Sequence, residues 1–365
     1  MTARGLDIGH KTALVRQFLQ EAGGAAVRLK SIEWFGWITA GGSSAVLQTV
    51  EGGVAEVLIT NTDFIVLTDA IEAPRIRDEE LLPETQIHAV PWAQAHLQQA
   101  FVDSHAKGGV VFSDRPSGSE QPLPEHFWLL RHSLTPYDIE RYRALGKSSA
   151  EAMTEALKQA RPDQTENELA GMGASALRAR GLDVGLVQVA GKRRLNLYRH
   201  VPPQHDPLGP WAMMSFCARQ GGLWVSLTRF VAFEPLPAGL QEKHHKLKEI
   251  EAAVLQATCA GNTLGQMYHI LKAAYASRGE GNAILEHHQG GPTGYGCRER
   301  IALPSDPYVL RAPQAFAWNP SLRGAKIEDT VLLHEDGSLE VLTLDPLWPA
   351  SLEQGLLRPD VLQQF

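Results

Sequence analysis

The sequence EHHQGGPTGYGCRE, from Glu286 to Glu299, runs two adjacent histidines into a string of glycines, and WNPSLRGAKIEDT, from Trp318 to Thr330, follows a short way downstream. Together these segments gather His287, His288, Gln289, Arg298, Asn319, Arg323, Lys326 and the acids Glu286, Glu299, Glu328 and Asp329 beside glycine-rich turns. So many polar side chains rarely build a core, which makes the two segments the natural place to look for a site.

Around them lies a chain of 365 residues, long enough for two domains that each bury a core. With 44% hydrophobic and 21% charged residues its composition is that of an ordinary globular protein. A net charge of -7 leaves no electrostatic footprint for nucleic acid. Three cysteines, Cys217, Cys259 and Cys297, form no paired framework and suit a reducing compartment. No basic start leads into an early apolar run, and no stretch of about 18 apolar residues occurs, so no membrane partner and a cytoplasmic location are expected.

Helical spacing of apolar residues marks Thr12 to Ala22, closed by Gly23 and Gly24. Strand-like runs follow at Ala45 to Leu47, Ala55 to Ile59, Phe64 to Leu67 and Gly109 to Phe112. The Pro- and Ser-rich segment Ser113 to Glu125 reads as a linker, which sets domains at 1–130 and 131–365. Thr135 can cap a helix that has Pro136 at its first position. Further helices are expected over Gln164 to Arg180, Pro237 to Ala260 and Leu264 to Arg278, with strands at Trp211 to Phe216, Leu223 to Phe233, Ala315 to Trp318 and Asp329 to Leu333. The fold class is therefore mixed α/β (α+β).

Two strings, SLTRF at Ser226 to Phe230 and KIEDTVLL at Lys326 to Leu333, resemble the Asp-x-Thr-Arg and Arg-Ile-Glu-Asp-Thr strings of the pita-bread family of creatinase, prolidase, aminopeptidase P and methionine aminopeptidase. GGPTG, Gly290 to Gly294, stands where that family has Gly-His-Gly-x-Gly. The resemblance covers roughly residues 131–344 and implies a creatinase-like amino-terminal domain followed by a pita-bread domain. It also implies two metal ions held by two Asp, one His and two Glu. Those positions fall on Ser215, Ser226, Gly291, Asn319 and Glu328, so only Glu328 keeps its ligand. Divalent cations need several oxygen or imidazole ligands, so no metal and no other cofactor is expected.

In metal-free creatinase a histidine acts as acid and base, and its counterpart here is His200. The two acids that contact creatine fall on Thr228 and Asn319, neither of which balances a guanidinium charge. His200 is either a general acid/base or a surface histidine beside a Pro-Pro turn. His288 is the second catalytic candidate, and His287, Arg298, Glu299, Asn319, Lys326 and Glu328 are the candidates for substrate binding. Arg298 suits a substrate carboxylate, or else an internal salt bridge. Glu328 beside Lys326 is either a site acid or an ion pair. Cys217, Cys297, Ser215 and Ser226 lack the surroundings of a nucleophile. Trp34 and Trp37 are candidates for a wall lent to the pocket, across a dimer by family analogy.

The sequence therefore points to a homodimeric Xaa-Pro peptidase-like protein without its two-metal site that binds a small peptide-like or amino-acid-like ligand. A creatinase-like hydrolase using His200, a non-catalytic interaction module and an active Xaa-Pro peptidase stand as the alternatives.

Overall fold

The computed structural model describes residues 2–365, which divide into two compact units. One runs to Arg131 and adds residues 135–138 and 221–223; the other holds 132–134, 139–220 and 224–365.

In the first unit, α1 (Ala3–Ala22) starts well before the periodic run at Thr12, because the Thr2 hydroxyl accepts from the Gly5 amide at 3.1 Å and caps the helix there. A six-stranded sheet follows, built from β1 (Ala26–Ser31), β2 (Gly52–Thr60), β3 (Phe64–Asp69), β4 (Gln86–Val90), β5 (Val111–Ser113) and β6 (Gln121–Pro122) in the order β4-β3-β2-β1-β5-β6. Helix α2 (Ile32–Ile38) follows β1, a single turn α3 (Ala73–Arg75) follows β3, α4 (His96–Ala106) follows β4, and α5 (Glu125–Trp128) closes the unit.

Three expectations fail in this unit, and one strand was not foreseen. The run Ala45 to Leu47 is an irregular loop with Val46 and Leu47 exposed. β1 escaped notice because it carries Arg28 and Lys30, yet all six of its residues are buried. Glu56 answers Arg28 at 2.6 Å and Glu120 answers Lys30 at 2.6 Å. The segment Ser113 to Glu125 is no linker, since it supplies β6 and Glu120, and the Asp114 carboxylate accepts from the Lys30 and Ser31 amides at 2.7 and 2.9 Å. Trp34 and Trp37 are 0% and 1% exposed and pack edge to face at 5.1 Å; Arg131 lies 4.9 Å over Trp34. They belong to the core of this unit and do not wall a pocket.

Thr135 accepts from the Asp138 amide at 3.1 Å, as a cap for α6 (Pro136–Lys158), which from residue 139 onward belongs to the second unit. Reciprocal capping boxes at Thr165 and Thr263 start α7 (Glu166–Ala179) and α10 (Leu264–Ser277). A short helix α8 (Lys192–Leu195) and the long α9 (Ala238–Ala257) complete the helices. One sheet holds β7 (Asp183–Gly191), β8 (Trp211–Gln220) and β9 (Leu223–Ala232), with β18 (Leu362–Gln363) beside β9. The other orders β10 (Gly290–Thr293), β11 (Gln314–Trp318), β14 (Asp329–Leu333) and β15 (Leu339–Val341). Two hairpins, β12 (Ser321–Leu322) with β13 (Ala325–Lys326) and β16 (Ala350–Glu353) with β17 (Leu356–Pro359), flank them.

The two sheets meet at a bridge between Thr228 and Glu328 and where the Trp224 amide donates to the Gly294 carbonyl at 2.8 Å. That seam positions the polar cluster. Among the described residues no helix is long and apolar enough to cross a membrane.

Candidate functional site

Side chains two apart on a strand share a face, so β8 aims Ser215 and Cys217, and β9 aims Ser226 and Thr228, toward the seam. Ser215 Oγ lies 2.7 Å from Thr228 Oγ1, Cys217 Sγ lies 3.4 Å from Ser226 Oγ, and Thr228 donates to Glu328 Oε2 at 3.1 Å. From the opposite side Lys326 reaches Glu328 Oε2 at 3.0 Å. Arg298 pairs with Glu328 Oε1 and donates to Ser226 Oγ at 2.9 Å.

Glu328 is 2% exposed. Burial by itself raises a carboxyl pKa, but Lys326 and Arg298, with the hydrogen bonds from Lys326 and Thr228, outweigh it and hold Glu328 down to about 2. It is a permanent carboxylate with a cation on each oxygen. Cys217 also meets the Cys297 thiol, and this hydrogen bond pulls Cys217 down to about 7 against the cost of burial while pushing Cys297 up.

Several neighbours in sequence turn elsewhere. Asp329, next to Glu328, points to the other face, where it meets Arg229 at 2.7 Å and Arg358 at 2.9 Å. Glu299 leaves its neighbour Arg298 alone: one oxygen accepts from the Gly296 amide at 2.6 Å and the other lies 3.6 Å from His132 Nε2. His132 in turn sits 2.9 Å from the Tyr308 hydroxyl, a residue 176 positions away, and nothing local in the sequence signals that contact. Gln289 is buried between the Tyr275 hydroxyl and the His287 carbonyl and so serves the framework. Asn319 is buried with its side-chain oxygen lacking a hydrogen-bond partner. Arg323 is tied to Glu286 at 3.1 Å.

The histidines form a second cluster. His200, in the exposed loop after α8, has its ring 4.9 Å from that of His287 and 6.0 Å from that of His288, and the last two stack at 4.5 Å. Burial, reinforced by Lys326, holds His287 down to about 3; burial and Arg298 hold His288 down to about 4. His200 is lowered as well, by burial and then Lys326, with Glu328 opposing. All three rings are neutral near pH 7.

Gly291 occupies φ +152°, and a Cβ there would lie 2.5 Å from the Arg300 carbonyl oxygen. The backbone has no room for a side chain at this position. A cavity of about 950 Å³, which sequence reasoning missed, lies between α9 and the C-terminal strands; Thr228, Lys326, His244, Lys248 and Trp348 are among its lining residues.

The sequence model of metallopeptidase family M24 matches residues 140–335. The solved structure of X-Pro aminopeptidase from Thermotoga maritima is similar over 94% of this chain and 98% of that one, with 19% identity and a TM-score of 0.76. Prolidase from Thermococcus sibiricus is similar over 98% and 99%, with 15% identity and a TM-score of 0.76. The N-terminal domain of FACT complex subunit SPT16 from chickpea (Cicer arietinum) is similar over 93% and 95%, with 12% identity and a TM-score of 0.65. No curated protein matches the sequence at a significant level. The fold is that of the pita-bread peptidases.

Proposed function

Since the chain belongs to metallopeptidase family M24, we propose that it is an Xaa-Pro peptidase-like member whose two-metal centre has been replaced by its own cations. It binds a small peptide-like or amino-acid-like ligand without metal-dependent hydrolysis. The observation that carries this reading is the pairing of Glu328 with both Lys326 and Arg298.

The residues at the five inferred ligand positions do not fit a pair of metal ions. They offer two hydroxyls, a glycine, an amide and one carboxylate, where hard or borderline dications need several anionic or imidazole donors. Glu328 has both oxygens engaged, and a dication placed there would face the guanidinium and the ammonium at contact distance. No step through a metal-activated water is available to this donor set.

What the residues can do is bind. Lys326 lines both the cluster and the 950 Å³ cavity, a volume in the range of small-molecule pockets; Lys248 and Arg229 also line it, each paired with an acid of the protein, Asp360 and Asp329. The test is incubation of tag-free protein with Ala-Pro and added Mn²⁺ or Co²⁺, together with calorimetric binding of the same dipeptide. The reading expects no hydrolysis, and dipeptide binding that weakens about tenfold in Lys326→Ala, the loss of roughly one charged hydrogen bond. Metal-dependent hydrolysis abolished by Glu328→Gln would overturn it, as would absence of dipeptide binding.

The fold shared with a subunit of the FACT complex favours a second reading, a non-catalytic interaction module. Absence of both dipeptide binding and hydrolysis is the outcome that would select it.

A further inference from the structure

The three histidines on the near side of the cluster have no task in the reading above. We infer that His200, His287 and His288 form a mononuclear site for a borderline transition-metal ion such as Zn²⁺, Ni²⁺ or Cu²⁺, distinct from the five positions of the two-metal centre.

Geometry comes first. One ring nitrogen from each histidine lies within 4.8 Å of the others. Nitrogen donors about 2.0–2.1 Å from a zinc ion stand roughly 3.4 Å apart, so the widest separation has to contract by up to about 1.4 Å. His200 is the ring able to move: it is exposed and makes no hydrogen bond among the described residues. Its loop is already tied to the loop of the other two, because Arg199 pairs with Glu286 at 2.5 Å and Glu286 also holds Arg323. The residues flanking the ligands therefore fix their approach before any ion arrives.

Donor chemistry comes second. A carbonyl oxygen only accepts, so the contact between His287 Nδ1 and the His288 carbonyl places the proton on Nδ1. The lone pair is then on Nε2, which is buried and has no hydrogen-bond partner. A ring N–H held by a backbone carbonyl is the arrangement that orients metal-bound histidine. His288 receives a long contact from the Gly290 amide at 3.3 Å on Nδ1, and binding an ion gives up that contact. Three neutral imidazoles suit zinc, nickel or copper and do not suit magnesium or calcium.

Charge opposes the site in part. Lys326 and Arg298 act on these rings against a further positive charge, while Glu328 acts in favour of it.

Tag-free, chelator-stripped full-length protein is titrated with Ni²⁺ and Zn²⁺ by calorimetry, with Co²⁺ absorption as a geometric readout. The expected result is one equivalent, with affinity falling at least about 100-fold in His287→Asn and about tenfold in His200→Asn, in line with loss of ligands. His10→Asn, on the exposed surface of α1, leaves it unchanged. The exposed His200 guards against a variant that fails only by misfolding. No binding by the wild-type protein, or binding indifferent to both site variants, would overturn the inference while leaving the absence of Ala-Pro hydrolysis intact. Two equivalents accompanied by Ala-Pro hydrolysis would overturn the proposed function instead.

Discussion

Glu328 is the residue at which the family string meets the local electrostatics of this chain. It keeps the acid of the family string, yet each of its oxygens is neutralised by a side chain of the same protein. Replacing it strands two largely buried cations, so Glu328→Gln should cost about 2–4 kcal/mol, read as a lowered denaturant midpoint at pH 7.5. The neighbouring histidines give the opposite kind of signal. His287 and His288 have folded pKa values near 3 and 4, below the ordinary 6.5, so the unfolded chain takes up protons that the folded chain refuses. Their stabilising share is complete above pH 6.5 and is lost as pH falls toward 4. At pH 4.5 each fully depressed ring accounts for on the order of 2 kcal/mol, and His287→Asn should flatten the fall in denaturant midpoint between pH 6.5 and 4.5 while changing little at pH 7.5 relative to that slope. At this scale the sequence was only half legible. It named Arg298, Lys326 and Glu328 as residues of one site, with the ion pair among the open alternatives, but it could not show that Arg298 chooses Glu328 over the adjacent Glu299, because that choice depends on which way each side chain leaves the turn.

At the scale of elements, β10 constrains the position to which the family resemblance assigns a histidine. Gly290 has φ +84° and Gly291 φ +152°, and a Cβ at either would meet a carbonyl oxygen, of Ala317 at 2.0 Å or Arg300 at 2.5 Å. Restoring the family residue as Gly291→His should therefore destabilise the protein by roughly 2–4 kcal/mol, measured by thermal unfolding, and should bring no Mn²⁺-dependent hydrolysis of Ala-Pro. A variant that melts like the wild type would show that the strand relaxes more easily than its packing suggests. Elements also mark where sequence reading succeeded. The helices capped by Thr135, Thr165 and Thr263 were found to within a few residues, since a cap and a 3.6-residue period are local signals. β1 was missed because Arg28 and Lys30 read as surface until the distant Glu56 and Glu120 are known to meet them. The Pro- and Ser-rich run Ser113 to Glu125 misled for the same reason: its composition is that of a linker, but Asp114 and Glu120 bind back onto β1.

For the molecule as a whole, the string Ile-Glu-Asp-Thr carries two separate functions on two faces of one strand. Its Glu faces the polar cluster, whereas Asp329 faces a buried lattice in which Arg358 bridges Asp329 at 2.9 Å and Glu251, and Arg229 holds Asp329 at 2.7 Å. These four residues come from β9, α9, β14 and β17, so the lattice ties a sheet strand, the long helix and the C-terminal hairpin of the second unit to one another. Thr330 completes the seam by accepting from the Ser226 amide at 2.8 Å and donating to the Ser226 carbonyl at 3.0 Å. The family string is thus intact where it supports the fold, and this is why it was recognisable. Arg358 is 0% exposed, and Arg358→Met would leave two buried carboxylates facing a single guanidinium. The expected loss is about 3–5 kcal/mol in the unfolding free energy at neutral pH. Part of it should return when Glu251→Gln is added, because the second change removes the charge that the first left unpaired. A double variant no more stable than Arg358→Met alone would mean that shape, and not charge balance, holds this junction together.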